Sequence, residues 1–200
     1  MTYELLTGLA VFAMVSSLTP GPNNLMLMAS GANFGFRLTI PHMLGVSLGF
    51  TLMVLLVGLG LAQLFQLYPA SYTVLKIVSV FYLLFLAWKI ATAGKPDENI
   101  GISGRPFTFI QAALFQWVNP KAWTMALTAL SVYSPSQNIN SVALVAMVFG
   151  AINLPCVSCW TLLGQQIQGL LSSPKRLAAF NVSMALILVL SLYPVLVTNT

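Results

Sequence analysis

The sequence predicts an all-α membrane protein: six transmembrane helices forming two inverted three-helix repeats, with helices 1 and 4 broken at proline motifs. Three observations predict it. Of 200 residues, 58% are hydrophobic and only 6% charged, against about 25% charged in soluble domains, and the mean hydropathy is +0.90. The apolar residues gather into six runs, each near the roughly 20 residues a spanning helix needs. The first run of each half is interrupted by proline at a similar depth.

The six runs cover roughly 4–30, 42–65, 73–92, 107–131, 141–164 and 178–198. They are too long and too evenly apolar for the short alternating strands of a membrane β-barrel. The first opens with Glu4 and no Lys or Arg, so it lacks the basic start of a cleavable signal and is expected to remain as a span. Tyr68-Pro69-Ala70-Ser71 and Tyr133-Ser134-Pro135-Ser136-Gln137-Asn138 mark turns.

Basic residues set the orientation. Arg37 lies between runs 1 and 2, Lys89, Lys95 and Arg105 flank the connection between 3 and 4, and Lys175 and Arg176 precede run 6. The other two connections carry none, although Lys76 stands just inside run 3. The positive-inside rule makes the three basic connections cytoplasmic and turns both termini outward. The formal charge of +5 is therefore a topology signal. It forms no basic stripe, so nucleic acid is not an expected partner.

The longest polar interval, Thr92 to Pro106, divides the chain into repeat halves 1–92 and 107–200 joined by a cytoplasmic loop 93–106. Three is an odd number of spans, so the second half must thread the membrane inverted. Its first run breaks at Gln116-Trp117-Val118-Asn119-Pro120-Lys121; the first half breaks at Thr19-Pro20-Gly21-Pro22-Asn23-Asn24. Proline removes a backbone donor and clashes with the carbonyl four residues back. Irregular backbone at membrane depth persists only where protein buries it or where it lines a polar cavity. Matched breaks in two halves point to a transporter's binding site.

Asn119-Pro120 has the form of a helix start, with Asn as N-cap and Pro at the first helical position, and Thr19-Pro20 repeats that form. Two half-helices starting near the midplane would bring their N-termini, each about half a positive charge, to one anion-binding place. Lys121 lies too deep for its ammonium to reach an interface easily, and no acidic residue occurs within any run's core. A substrate carboxylate is its expected partner. Asn23, Asn24, Asn119 and Asn153 would add neutral donors and acceptors, with Asn153 placed just before Pro155. The substrate-binding set expected is thus Pro20, Gly21, Pro22, Asn23, Asn24, Asn119, Pro120, Lys121 and Asn153. Trp117 and Trp123 would wall that site or face lipid and core.

His42 opens run 2 and, with Lys121, is a proton-coupling candidate. Gly31-Ala32-Asn33-Phe34-Gly35 and Gly45-Val46-Ser47-Leu48-Gly49 have the small-xxx-small spacing of close helix packing. Cys156 and Cys159 lie one turn apart, which keeps open the alternative of a transmembrane thiol–disulfide carrier. That carrier would want one redox cysteine served from each face, and both lie in run 5. No metal and no cofactor are expected.

The Thr19-Pro20-Gly21-Pro22-Asn23-Asn24 stretch, Gly45-Val46-Ser47-Leu48-Gly49-Phe50, Ala87-Trp88-Lys89 and Asn119-Pro120-Lys121 together resemble the LysE/RhtB family of amino-acid exporters. The resemblance covers essentially the whole chain in length, helix count and motif order. Within the family the chain looks most like the cysteine/O-acetylserine exporter branch, through Asn23-Asn24, Gly45 to Phe50 and Trp88-Lys89-Ile90-Ala91-Thr92. The resemblance implies a multi-pass exporter of amino acids or their derivatives in the cytoplasmic (inner) membrane, driven by the proton motive force, and not an enzyme. It implies site roles for Pro20, Gly21, Pro22, Asn23, Asn119, Pro120 and Lys121. The partners expected are a small zwitterionic substrate, the lipid bilayer and, as one option, a second copy in a homodimer.

Overall fold

The computed structural model describes residues 1–61, 63, 67–68, 70–93, 105–134 and 138–193, and among these the regular structure is helical throughout. Helix α1, Tyr3–Leu18, starts where the Thr2 hydroxyl accepts from the Leu5 N–H. It ends because Thr19 precedes proline and is pushed into extended backbone (φ −61°, ψ 134°). Helix α2, Pro22–Leu56, begins with proline at a first-turn position, where a missing N–H is harmless.

Inside α2 lies one break that no loop announces. Gly35 has φ 80° and ψ 172°, a conformation that glycine reaches without a Cβ clash. The Phe36 N–H next to it is taken by Oε1 of Gln165 at 2.6 Å, and the Thr39 hydroxyl donates to the Gly35 carbonyl at 2.8 Å. Runs 1 and 2, expected to be parted by a connection from about residue 31 to 41, are therefore parted by this single glycine. A short π-helical turn, Val57–Leu61, continues α2.

The remaining helices are α3, Ala70–Ala91; α4, Phe109–Val118; α5, Pro120–Tyr133; α6, Ile139–Ile167; and α7, Pro174–Leu190. A reciprocal Thr108–Gln111 capping box starts α4, and Asn138 caps α6 through the Ser141 N–H. Run 4 is thus split into α4 and α5, as run 1 is split into α1 and the first part of α2. The end of run 2, most of the 93–106 loop with Lys95, Asp97 and Glu98, parts of both turns named above, and the end of run 6 lie outside the described residues.

Helices α2 and α6 pack most extensively on each other, α4 and α1 each flank one of them, and α3 pairs with α7. Close approach comes from glycine: a Cβ on Gly31 would enter the Thr161 backbone, and one on Gly164 would enter that of Met28. Gly49 meets Ala113 of α4 in the same way, with 2.6 Å left for a Cβ. Of the two small-xxx-small motifs, Gly45 and Gly49 both pack as expected, whereas Gly35 of the other motif makes the bend and only Gly31 packs.

One core joins Leu9, Ala13, Phe50, Met53, Ala126 and Phe149 across α1, α2, α5 and α6; a second joins Met26, Leu83, Leu86, Phe115 and Leu188 across α2, α3, α4 and α7. Large apolar side chains point outward on all seven helices, among them Val15, Leu52, Phe81, Leu114, Leu127, Met147 and Leu190. An apolar exterior is what a lipid solvent requires. Three stretches, Pro22–Leu61, Thr73–Ala91 and Ile139–Ile167, are each long and apolar enough to cross a membrane.

Candidate functional site

The two proline breaks meet. Nζ of Lys121, in the first turn of α5, donates to the Thr19 carbonyl at 2.5 Å and lies 3.5 Å from that of Pro20. The lysine stem crosses Gly21 so closely that a Cβ there would stand 2.8 Å from Cδ. Asn23 of α2 and Gln116 of α4 form a reciprocal amide pair, with Nδ2 donating to Oε1 at 2.9 Å and Nε2 donating to Oδ1 at 3.2 Å. One small cavity between the breaks is bordered by Gly21, Asn23, Asn24, Asn119, Lys121 and Asn153, together with Ser17 and Gln116.

The local chemistry differs from the expectation in three ways. Thr19 is not an N-cap: it closes the C-terminus of α1, its hydroxyl donating to the Val15 carbonyl at 2.6 Å. Gly21 holds the N-cap position of α2 and, lacking a side chain, offers no cap bond. Pro22, not Pro20, is therefore the first helical proline, and the matching pair is Gly21-Pro22 and Asn119-Pro120. At α5 the expected cap is present, with Oδ1 of Asn119 accepting from the Lys121 N–H at 3.2 Å.

Lys121, expected to lack a fixed carboxylate partner, has its ammonium held by backbone carbonyls instead among the described residues. The last carbonyls of α1 carry the negative end of its dipole and take up the ammonium. Asn24 completes that arrangement, its amide donating to the carbonyls of Ser17 and Thr19 at 2.8 and 2.9 Å. The site therefore holds both signs: the C-terminal carbonyls of α1, and the helix starts of α2 and α5 with Lys121.

Asn153 is 5% exposed and reaches the same cavity from α6. Its Nδ2 donates to the Ser17 hydroxyl at 3.0 Å, but its Oδ1 has no partner. An unpaired buried acceptor costs about 1–3 kcal/mol, which identifies Oδ1 as a place where a donor is missing. The free space is about 20 Å³, enough for roughly one water. The site's own side chains leave little room between them.

Gln116 is fully buried and belongs to this cluster, although the sequence reading named it only as part of the break. Its signal was present: a polar amide one helical turn before Asn119 inside an apolar run. Ser17 was missed because a serine near a helix end reads as ordinary capping chemistry. Trp117 and Trp123 do not border the cavity; Nε1 of Trp123 donates to the Trp117 carbonyl at 2.8 Å, bracing the second break.

His42 is distant from this cluster in its contacts. It is fully buried, its ring lies 5.1 Å from that of Phe107, and neither ring nitrogen has a partner. A second polar pair, also unnoticed in the sequence, ties α2 to α7: Nδ2 of Asn33 donates to Oδ1 of Asn181 at 2.7 Å, and Nδ2 of Asn181 donates back at 3.0 Å. Asn181 also donates to the Ala93 carbonyl at the end of α3, at 2.7 Å. Cys156 is buried and Cys159 exposed, and both are free thiols.

The LysE type translocator family model matches residues 14–193. Cysteine/O-acetylserine efflux proteins of Escherichia coli strain K12 and Shigella sonnei strain Ss046 are each 32% identical over 191 residues, covering 94% of this chain and 96% of theirs. No solved structure matches the chain. The family and its efflux relatives do not favour the redox-carrier alternative, and the chain is a transporter rather than an enzyme. A match spanning both proline breaks, on an apolar helical framework, makes the chain an integral inner-membrane protein that belongs to the LysE type translocator family.

Proposed function

We propose that this protein exports small zwitterionic amino acids or their derivatives, with cysteine and O-acetylserine, named in its relatives, as the first substrates to try. One observation carries the reading. One small cavity holds a cation, an uncapped helix start and an unpaired buried acceptor, and a zwitterion complements all three. The substrate carboxylate takes Lys121 and the first-turn N–H groups of α2. The substrate ammonium takes Oδ1 of Asn153 and the Thr19 carbonyl that Lys121 has left. Pro20, Gly21, Pro22 and Pro120 act by breaking the helices there, and Asn23, Asn24 and Asn119 hold the broken ends.

The helix pairing supports six spans arranged as two inverted three-helix repeats. Exchanging halves carries the α2–α4 contact onto the α6–α1 contact and carries the α3–α7 and α2–α6 contacts onto themselves. Under this arrangement repeat 1–92 rocks against repeat 107–200, the 93–106 loop is cytoplasmic and both termini face outward. Proton coupling falls to His42 or Lys121, since no carboxylate lies among the described helix cores. A homodimer is one assembly compatible with the exposed apolar faces.

The test is efflux from proteoliposomes loaded with a panel of amino acids, with and without a proton gradient. Export of small neutral amino acids that collapses with the gradient and with Lys121→Gln is the expected result. Export that survives Lys121→Gln overturns the site, and export indifferent to the gradient overturns the coupling.

A further inference from the structure

We infer that a second cavity, at the other end of the first part of α2, binds the phosphate headgroup of an anionic membrane phospholipid. This inference is independent of the proposed transport site. The cavity has a volume of about 240 Å³ and lies between α2, the last turn of α3 and the stretch leading into α4. Its charged lining residues are Lys89 and Arg105, with Phe107 and Trp88 beside them and Asn33 at its wall.

No acidic side chain among the described residues borders the cavity. Nζ of Lys89 lies over the Phe107 ring, 4.2 Å from its centroid, its only described partner. Arg105 is exposed and has no ion pair among the described residues. Among the described residues these two cations share one concave place with no counter-anion, and a phosphate offers acceptor oxygens to both.

The neighbouring surface says which anion. Phe81, Leu84, Phe85 and Trp88 share one face of α3, and they are 69%, 43%, 46% and 64% exposed. That apolar stripe runs along the helix and ends at the cavity mouth, where Trp88 is part of the lining. Tryptophan at headgroup depth with basic residues beside it is the usual composition of a membrane interface. A phospholipid fits both parts: its phosphate between Lys89 and Arg105, its acyl chain along the stripe. A free anion uses only the first part.

The test follows thermal unfolding of the purified full chain in neutral detergent micelles while phosphatidylglycerol, phosphatidylcholine or inorganic phosphate is titrated in. Phosphatidylglycerol should stabilise the protein at the lowest concentration. Lys89→Gln with Arg105→Gln should weaken its apparent affinity roughly 25-fold, at about fivefold for each basic group. Arg105→Gln alone, a change outside the helices, should weaken it roughly fivefold. Lys175→Gln with Arg176→Gln, exposed residues at the start of α7, should leave it unchanged.

Three outcomes overturn the inference. An equal shift from phosphatidylcholine means that only the acyl chain binds. A full shift from inorganic phosphate means a free-anion site. An equal loss in the Lys175/Arg176 variant means general surface charge.

Discussion

Replacing Lys121 by Gln separates the two jobs that its ammonium can do. Nζ bonds the Thr19 carbonyl at 2.5 Å, yet that carbonyl also accepts from Asn24 at 2.9 Å. Losing the lysine therefore does not leave the end of α1 bare. Interhelical hydrogen bonds in membranes average about 0.6 kcal/mol and reach about 1.7, so the variant should lose on the order of 1 kcal/mol of stability. A substrate carboxylate has no such substitute donor of full charge. A hydrogen bond to a charged group contributes about 1.5–3 kcal/mol, which is roughly 10- to 150-fold in substrate affinity. The assay pairs initial efflux rates over a range of internal substrate with unfolding in detergent. Lys121→Arg keeps the charge and should keep part of the affinity. Wild-type export by Lys121→Gln, or loss of export only in step with loss of fold, would refute the reasoning.

Other expectations follow from the same geometry. Gly21→Ala places a Cβ 2.8 Å from Cδ of Lys121 and should displace the lysine, lowering stability by about 1 kcal/mol or less and altering export together, read by unfolding and efflux. Asn153→Leu removes an unpaired acceptor along with one hydrogen bond, so stability should change by less than about 1 kcal/mol while apparent affinity falls about tenfold; equal loss of both would make Asn153 structural. Asn33→Ala and Asn181→Ala should each destabilise by about 1 kcal/mol, and the double variant by clearly less than their sum; additivity would show that the amide pair is not a unit. Cys156→Ser with Cys159→Ser should leave export intact, and a strict thiol requirement would revive a redox role.

The all-helical membrane fold was legible from composition and from the length of the apolar runs, because a bilayer dictates both. The breaks were equally legible, since proline's missing donor and ring act through local covalent structure. Asn119-Pro120 was read in the correct register, as its cap bond lies two residues away. Thr19-Pro20 was read one turn element too early. Sequence form cannot tell a threonine that ends one helix from a threonine that starts the next, and the neighbouring Gly21-Pro22 decided it.

What the sequence by itself determined is where the backbone must break, which residues are apolar, and that one lysine lies deep in an apolar run without a nearby acid. Those are consequences of single residues and their immediate neighbours. Only the tertiary structure decided what the broken ends meet: the carbonyls of α1 on Lys121, Asn23 on Gln116 at a separation of 93 residues, and Asn153 on Ser17 with one oxygen left over. Hydrogen-bond partners between distant helices depend on how the helices pack, and that packing is set by glycines such as Gly31 and Gly164, whose role shows only when both surfaces are in place.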